Sequence, residues 1–136
     1  MKKILCLLIV LSVLTVPTLA LPRDIGISVN GEQIEFPDVQ PTDADGVIFA
    51  PVRAVFEALG AGVYWEESDK MVFINYGDDY ILLQIDSNIM FLNDELKMLT
   101  NAPRQVNDMR TVVDLKEVLE HAGITAVFDG GVNITK

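Results

Sequence analysis

Residues 49–66 read FAPVRAVFEALGAGVYWE, and this stretch predicts a short helix followed by a strand. Pro51 suits the first helical position, where its missing N–H costs nothing. Gly60 is expected to close the helix, because glycine readily adopts the left-handed conformation found there. The apolar side chains between them recur at positions i, i+3, i+4 and i+7 and form one stripe: Val52, Val55, Phe56 and Leu59.

Strand signals flank this helix on both sides. Upstream, residues 25–29 alternate in polarity, and Asn30-Gly31 is a strong hairpin signal because both residues tolerate positive φ. The return strand is expected over 33–36, and a polar loop over 37–46. Downstream, four runs read as strands separated by polar turns: 63–66, 71–76, 80–85 and 89–92.

The same pattern returns 63 residues later. A second apolar stripe predicts a second helix, formed by Leu115, Val118, Leu119 and Ala122. Asp114 and Glu117 have the spacing of a capping box at its start. The chain is therefore expected to hold two pseudo-repeat units, about 25–85 and 88–136. Short turns favour an antiparallel β meander with short helices packed on one face, an α+β fold.

The second unit stops at Lys136, so it has only Val132–Thr135 of the strand that matches 71–76 in the first unit. This strand is expected either to pair with a strand of the first unit or to remain a sheet edge. An open edge can recruit another chain. An edge-strand homodimer through this strand is therefore one prediction.

Residues 1–20 have the three-part pattern of a secretory signal. Lys2 and Lys3 precede the apolar run 4–16, and small residues end at Ala20. The run is shorter than the roughly 20 residues that a spanning helix needs, although retention as an anchor is the alternative. The sequence thus predicts cleavage near Ala20, a single domain over 21–136, and a secreted or cell-envelope location.

Composition narrows the classes of partner. Loss of Lys2 and Lys3 with the signal would lower the formal net charge from −10 to −12, since −10 − 2 = −12. Loss of Cys6 would leave no cysteine. An acidic surface disfavours nucleic acid and, after signal cleavage, anionic membranes. No disulfide can form, so stability is expected to come from packing.

The stretch 49–66 resembles the signature of the copper amine oxidase N-terminal-like (stalk) domain family, V-P-L-R-x-x-x-E-A-L-G-A-x-V-x-W. The hairpin signal Asn30-Gly31 and Gly46 before the helix belong to the same pattern. The resemblance covers roughly 25–129 and implies a non-catalytic accessory module of extracytoplasmic proteins. The second unit departs from the signature, since it places aspartate, lysine and phenylalanine where the first has Pro51, Arg53 and Trp65. A surface built from those three residues is therefore not expected to be duplicated.

Metal and catalytic chemistry find little support. A copper site needs several imidazoles, and the chain has one histidine, His121. The segment 42–46 looks like part of a calcium loop but lacks the essential first and twelfth ligands. No serine stands in a nucleophile-elbow context. No catalytic, cofactor or metal residues are therefore predicted, and the protein is not expected to be an enzyme.

One surface is predicted to meet a partner, either an envelope protein or a glycan. It combines a cation with aromatic rings that could stack on sugars: Arg53, Tyr64, Trp65, Tyr76 and Tyr80. Because Tyr64 and Trp65 are adjacent in a strand, they should face opposite sides. The expected function is a non-catalytic binding or scaffolding module. The alternative is a polysaccharide-acting enzyme or glycan-binding module that uses surface carboxylates, such as those at 66–67 and 78–79.

Overall fold

The computed structural model describes residues 25–107 and 110–136, and the elements below are those of this part of the chain. The predicted signal, 1–20, lies outside the described residues. The strands of the first half are β1 (Ile27–Val29), β2 (Glu32–Gln33), β3 (Thr42–Ala44), β4 (Val47–Pro51), β5 (Gly62–Glu66), β6 (Met71–Tyr76) and β7 (Asp79–Gln84). Those of the second half are β8 (Ile89–Leu92), β9 (Glu95–Met98), β10 (Arg104–Val106), β11 (Arg110–Asp114), β12 (Thr125–Phe128) and β13 (Val132–Thr135). The helices are α1 (Val52–Ala58) and α2 (Leu115–His121).

The strands form three sheets. Strands β5 to β9 make a five-stranded antiparallel meander in chain order, as the short turns predict. A second sheet has the order β10-β11-β4-β3 and is antiparallel throughout. The third has the order β12-β13-β1-β2, and within it β1 and β13 are parallel. The second and third sheets therefore join strands from opposite halves of the chain.

The described chain is mostly strand, in largely antiparallel sheets, with two short helices. Strands account for 49% and helices for 13%, so the α+β label predicted above is not confirmed. Both helices have seven residues and begin at Val52 and Leu115, which stand at the predicted offset. The repeat of the whole unit stays a prediction.

The terminal strand β13 lies inside its sheet. It pairs with β12 on one side and with β1 on the other, so that Ile134 stands opposite both Ala126 and Val29. Pairing with the first unit is thus the alternative that the structure adopts, and the open edge is wrong. The physical reason is that β2 occupies only one side of β1, so the other side of β1 offers β13 the hydrogen-bonding partner that an edge position would lack. A homodimer by edge pairing of β13 loses its basis.

Three local expectations need correction. Strand β2 is only two residues long, and the predicted loop 37–46 contains strand β3. Asp45 and Gly46 have φ of 53° and 87°, which closes a tight hairpin between β3 and β4. Pro51 ends β4 and caps α1 with ψ of 118°, because it still pairs with Val112 of β11.

Both helices end in the same motif. After α1, Gly60 has φ of 86°, and its N–H donates to the carbonyl of Glu57. The next N–H, of Ala61, donates to the carbonyl of Phe56. These two bonds define a Schellman motif. Gly123 closes α2 through the corresponding pair of bonds.

The predicted capping box of α2 is half formed. The side chain of Asp114 accepts a hydrogen bond from the N–H of Glu117. The Glu117 carboxylate instead accepts from the N–H of Thr100 at 2.6 Å. Asn101 donates to the second carboxylate oxygen of Asp114. The start of α2 is therefore tied to the loop before β10.

One apolar cluster fills the space between the helices and the three sheets. It includes fully buried residues from both halves of the chain: Ile27, Phe56, Leu59, Ile74, Ile81, Leu83, Met90, Leu115, Leu119 and Ile134. At roughly 25 cal/mol per Å² of apolar area, such side chains each contribute about 1.5–3 kcal/mol. The two halves thus depend on the same core.

Replacing Gly60 with valine is expected to lower the free energy of unfolding by about 1–3 kcal/mol. A Cβ at this position would come 3.0 Å from the Nζ of Lys136, a flexible end that can move aside. The cost therefore lies in the backbone, since a β-branched residue tolerates the positive φ poorly. Gly60→Asn is the matched control and should cost less, because asparagine accepts this conformation. Equal urea midpoints for the two variants would contradict this prediction.

Candidate functional site

A groove lies where β4 passes into α1. It is a cavity of about 310 Å³, and we call it the arginine groove after the two cations in its wall, Arg53 and Arg110. Arg53 stands in the first turn of α1, and Arg110 starts the neighbouring strand β11. Its lining is Pro51, Val52, Arg53, Val63, Tyr64, Trp65, Val72, Arg110 and Thr111.

Each arginine of the groove has a carboxylate partner. The Nη1 of Arg53 lies 3.3 Å from the Oε1 of Glu57, which stands four residues further along the chain. The guanidinium of Arg110 donates to the carboxylate of Asp38. All four side chains remain substantially exposed. Exposed pairs of this kind are worth about 0–1 kcal/mol, so an incoming carboxylate can compete for either arginine.

The two adjacent aromatic residues of β5 play different parts, as the alternation of a strand predicts. Tyr64 is 59% exposed, whereas Trp65 is half-buried against the core. A Cβ on Gly62 would lie 3.1 Å from the ring of Tyr64, so the ring lies close against the strand because glycine leaves room for it. The Trp65 Nε1–H donates to the carboxylate of Glu67. The groove therefore presents one open aromatic face beside two guanidinium groups.

The remaining aromatic residues of the predicted surface lie elsewhere. Tyr76 and Tyr80 flank the turn between β6 and β7. Tyr76 packs against the core, whereas the ring of Tyr80 lies 6.3 Å from that of Phe73 on the outer face of the meander. The structure thus brings together Arg53, Tyr64 and Trp65 and separates the other two. Sequence reasoning missed Arg110, which no local signal connects with Arg53.

A second cavity adjoins the arginine groove and also has a volume of about 310 Å³. It shares Pro51, Arg53 and Arg110 with the groove. Its other wall carries carboxylates and apolar side chains: Glu35, Phe36, Pro37, Asp38, Val39, Ala54 and Glu57. The shared surface therefore combines both signs of charge.

A third cavity, of about 400 Å³, stands at the corresponding place in the second half. Asp114, Lys116 and Phe128 line it, the residues found 63 positions after Pro51, Arg53 and Trp65. The Lys116 Nζ lies 5.9 Å from the centre of the Phe128 ring. A cavity recurs there, but its chemistry differs, as the substitutions predict.

The residues do not fit copper. His121 is the chain's only histidine, and its Nε2 lies 3.1 Å from the carbonyl oxygen of Met98. Within 25–107 and 110–136, no group of three histidine, cysteine, aspartate or glutamate residues could hold a metal ion. Asp43 accepts a hydrogen bond from the Gly46 N–H in the β3–β4 hairpin. It therefore serves the turn.

In the carboxylate pair at 66–67, Glu66 also stabilises a turn. The hydroxyl of Ser68 and the N–H groups of Ser68 and Asp69 donate to Glu66. These hydrogen bonds, the Ser68 hydroxyl foremost, lower the pKa of Glu66 below its ordinary value. A general acid needs the opposite shift. Asp79 of the other pair accepts from the side chain of Asn93.

The family assignment rests on most of the chain. Residues 28–135 match the model of the family described as Copper amine oxidase N-terminal domain. The chain belongs to that family, which confirms the resemblance of 49–66. Comparison with curated proteins gave no match, and comparison with solved structures gave none either. In copper amine oxidases this domain is non-catalytic.

Within the part of the chain that the structure describes, no helix combines the length and the apolar character that crossing a lipid bilayer requires.

Proposed function

We propose that the protein is a non-catalytic binding module, secreted or held in the cell envelope, that meets its partner at the arginine groove. The observation that carries this proposal is the meeting of Arg53 and Arg110 beside the exposed ring of Tyr64. The chain has a net charge of −10, so two cations at one groove are a local exception. The chain belongs to the family of copper amine oxidase N-terminal domains. Because this domain is non-catalytic in those enzymes, the family supports the same conclusion.

A glycan that carries carboxylate groups fits this groove best. Guanidinium groups bind carboxylates through paired hydrogen bonds, and an open aromatic ring can stack on the apolar face of a sugar. Arg53 and Arg110 would supply the first contact and Tyr64 the second. The acidic remainder of the protein opposes general adhesion to anionic polymers. Binding would therefore depend on local contacts at the groove.

A polysaccharide-acting enzyme is the second candidate. The cavity beside the groove is lined by three carboxylates, Glu35, Asp38 and Glu57. Glycoside hydrolysis uses two carboxylates on either side of the scissile bond. Two of these three, Glu57 and Asp38, are already paired with Arg53 and Arg110, so these pairs would have to break before either carboxylate could act on a scissile bond. The binding function is therefore the stronger proposal.

Trp65 makes the proposal directly measurable. It is the chain's only tryptophan and lines the groove, so a ligand there should change its fluorescence. We expect an oligosaccharide of uronic acids to change the emission in a saturable way, and the neutral oligosaccharide of equal length to do so weakly. Arg53→Gln should raise Kd about tenfold, the effect of losing about 1.4 kcal/mol.

Two further observations complete this test. Tyr80→Ala is the matched control, because Tyr80 lies outside the groove, and it should leave Kd unchanged. Equal weakening by Arg53→Gln and Tyr80→Ala, or no response to either sugar, would contradict the proposal. Release of new reducing ends during the titration would instead favour the enzyme.

A further inference from the structure

The outer face of the β5–β9 meander is apolar across its whole width. The registers of the four strand pairs place one residue from each strand in a single row. From β5 to β9, this row is Tyr64, Phe73, Leu82, Phe91 and Leu96. Since alternate residues of a strand share a face, further apolar side chains flank the row: Met71, Tyr80, Ile89 and Met98.

The opposite face of the same sheet is already covered. Its side chains belong to the core: Val63, Val72, Ile74, Ile81, Leu83 and Met90. An antiparallel sheet with one covered face normally presents polar side chains on the other. Here Leu96 and Met98 are 50% and 61% exposed, and Ile89 is also exposed. A shallow hollow of about 90 Å³ lies among Met71, Leu82, Ile89 and Phe91.

Charge is nearly absent from this outer face. By register, its polar positions are Glu66, Asn75 and Gln84. The carboxylate of Glu66 accepts hydrogen bonds within its own loop, from the Ser68 hydroxyl and the Asp69 N–H. The chain nonetheless carries a net charge of −10. Two copies of such a protein repel each other least where the contacting surfaces are neutral.

The face is large enough for a modest dimer. The five strands have between four and six residues each, so with about 4.8 Å between strands and about 3.3 Å per residue they cover a footprint of roughly 400 Å². Accessible surface exceeds footprint because side chains stand out from the sheet. Two copies would therefore bury an area near the lower end of the roughly 1,200–2,000 Å² of specific interfaces.

We infer that a second copy of this chain covers the outer face, with the two meanders stacked face to face. The layers would lie about 10 Å apart, as in a β-sandwich. A two-fold axis that passes near Leu82, on the central strand β7, would place Leu82 against Leu82 of the second copy. The other residues of the row would then also face residues of the second copy's row. Tyr64 stands on the edge strand and also lines the arginine groove, so the second copy would cover the ring that the proposed glycan contact uses, and the dimer and the ligand would compete for it.

The inference does not rest on the proposed function, because Leu82 and Leu96 lie outside the groove. The chain 21–136 is suitable for the test, since the core cluster lies within 27–134. Sedimentation equilibrium should show a monomer–dimer equilibrium. Leu82→Lys and Leu96→Lys should each raise its Kd by about tenfold or more, the effect of about 1.4 kcal/mol. Added salt should tighten the dimer, because it screens repulsion between acidic copies.

Val127→Lys is the matched control. Val127 is 59% exposed on the separate strand β12, and its replacement adds the same charge. It should leave Kd unchanged or slightly lower it, because the added lysine reduces the net negative charge. Leu96→Lys keeps the test valid if Leu82→Lys misfolds. The side chain of Leu96 is half-exposed, so its replacement should not disturb the core.

Three results would overturn the inference. The first is a monomer at every concentration that stays soluble. The second is a dimer that both meander variants leave intact. The third is a dimer that salt dissociates, since ion pairs would then hold it together.

Discussion

Replacing Ile134 with alanine is expected to lower the free energy of unfolding by about 2–5 kcal/mol. Ile134 is fully buried and belongs to the core cluster. Its strand β13 is an inner strand of its sheet, held by β12 on one side and by β1 on the other. The main-chain carbonyl of Ile134 also accepts a hydrogen bond from the N–H of Asn30. A cavity here would loosen the contact between the two ends of the described chain.

Two matched variants separate this packing effect from general damage to the C-terminus. Ile134→Val removes one methylene group and should cost about 0.5–1.5 kcal/mol. Thr135→Ala changes an exposed neighbour on the other face of the strand and should stay within about 0.5 kcal/mol. Urea unfolding of the three variants gives the comparison. Similar midpoints for Ile134→Ala and Thr135→Ala would show that β13 is peripheral to stability.

Features that the sequence predicted correctly are encoded by neighbouring residues. The turn at Asn30 and Gly31 needs only two residues that accept positive φ, and both have it. Gly60 ends α1 through hydrogen bonds to the last turn of the same helix. The meander follows from short turns between successive strands. Each of these features is settled within a few positions of the chain.

Long-range pairing could not be predicted in the same way. Strand β1 lies beside β13, with Ile27 opposite Val132. No residue in either strand specifies a partner at such a distance, and a parallel pair needs no connecting turn that the sequence would reveal. The remote pairing of β4 with β11 is likewise what brings Arg110 to the groove. By contrast, Arg53, Tyr64 and Trp65 fall within one short stretch, which allowed them to be predicted together.

The apolar outer face escaped prediction for a different reason. Residues 71–74 and 80–83 are continuous apolar runs. Such a run indicates a strand that is apolar on both faces, but it does not say what covers each face. The structure shows that the core covers one of them. Which face the core covers depends on how the strands pack in three dimensions, and an apolar run in the sequence does not specify this.

Replacing Phe56 with alanine is expected to lower the free energy of unfolding by about 3–5 kcal/mol. Phe56 is fully buried on α1, and Leu119 occupies the position 63 residues later on α2. Both belong to the same core cluster.

We therefore expect Phe56→Ala and Leu119→Ala to shift one shared unfolding transition, because β4 pairs with β11 and β1 with β13 across the two halves. Glu57→Ala is the control on α1, since its side chain is exposed, and it should stay within about 0.5 kcal/mol. Calorimetry and circular dichroism should give the same midpoint for each variant. Two separate transitions, with only one of them moved by Phe56→Ala, would show that the halves fold independently. The cross-half sheets would then contribute little to cohesion.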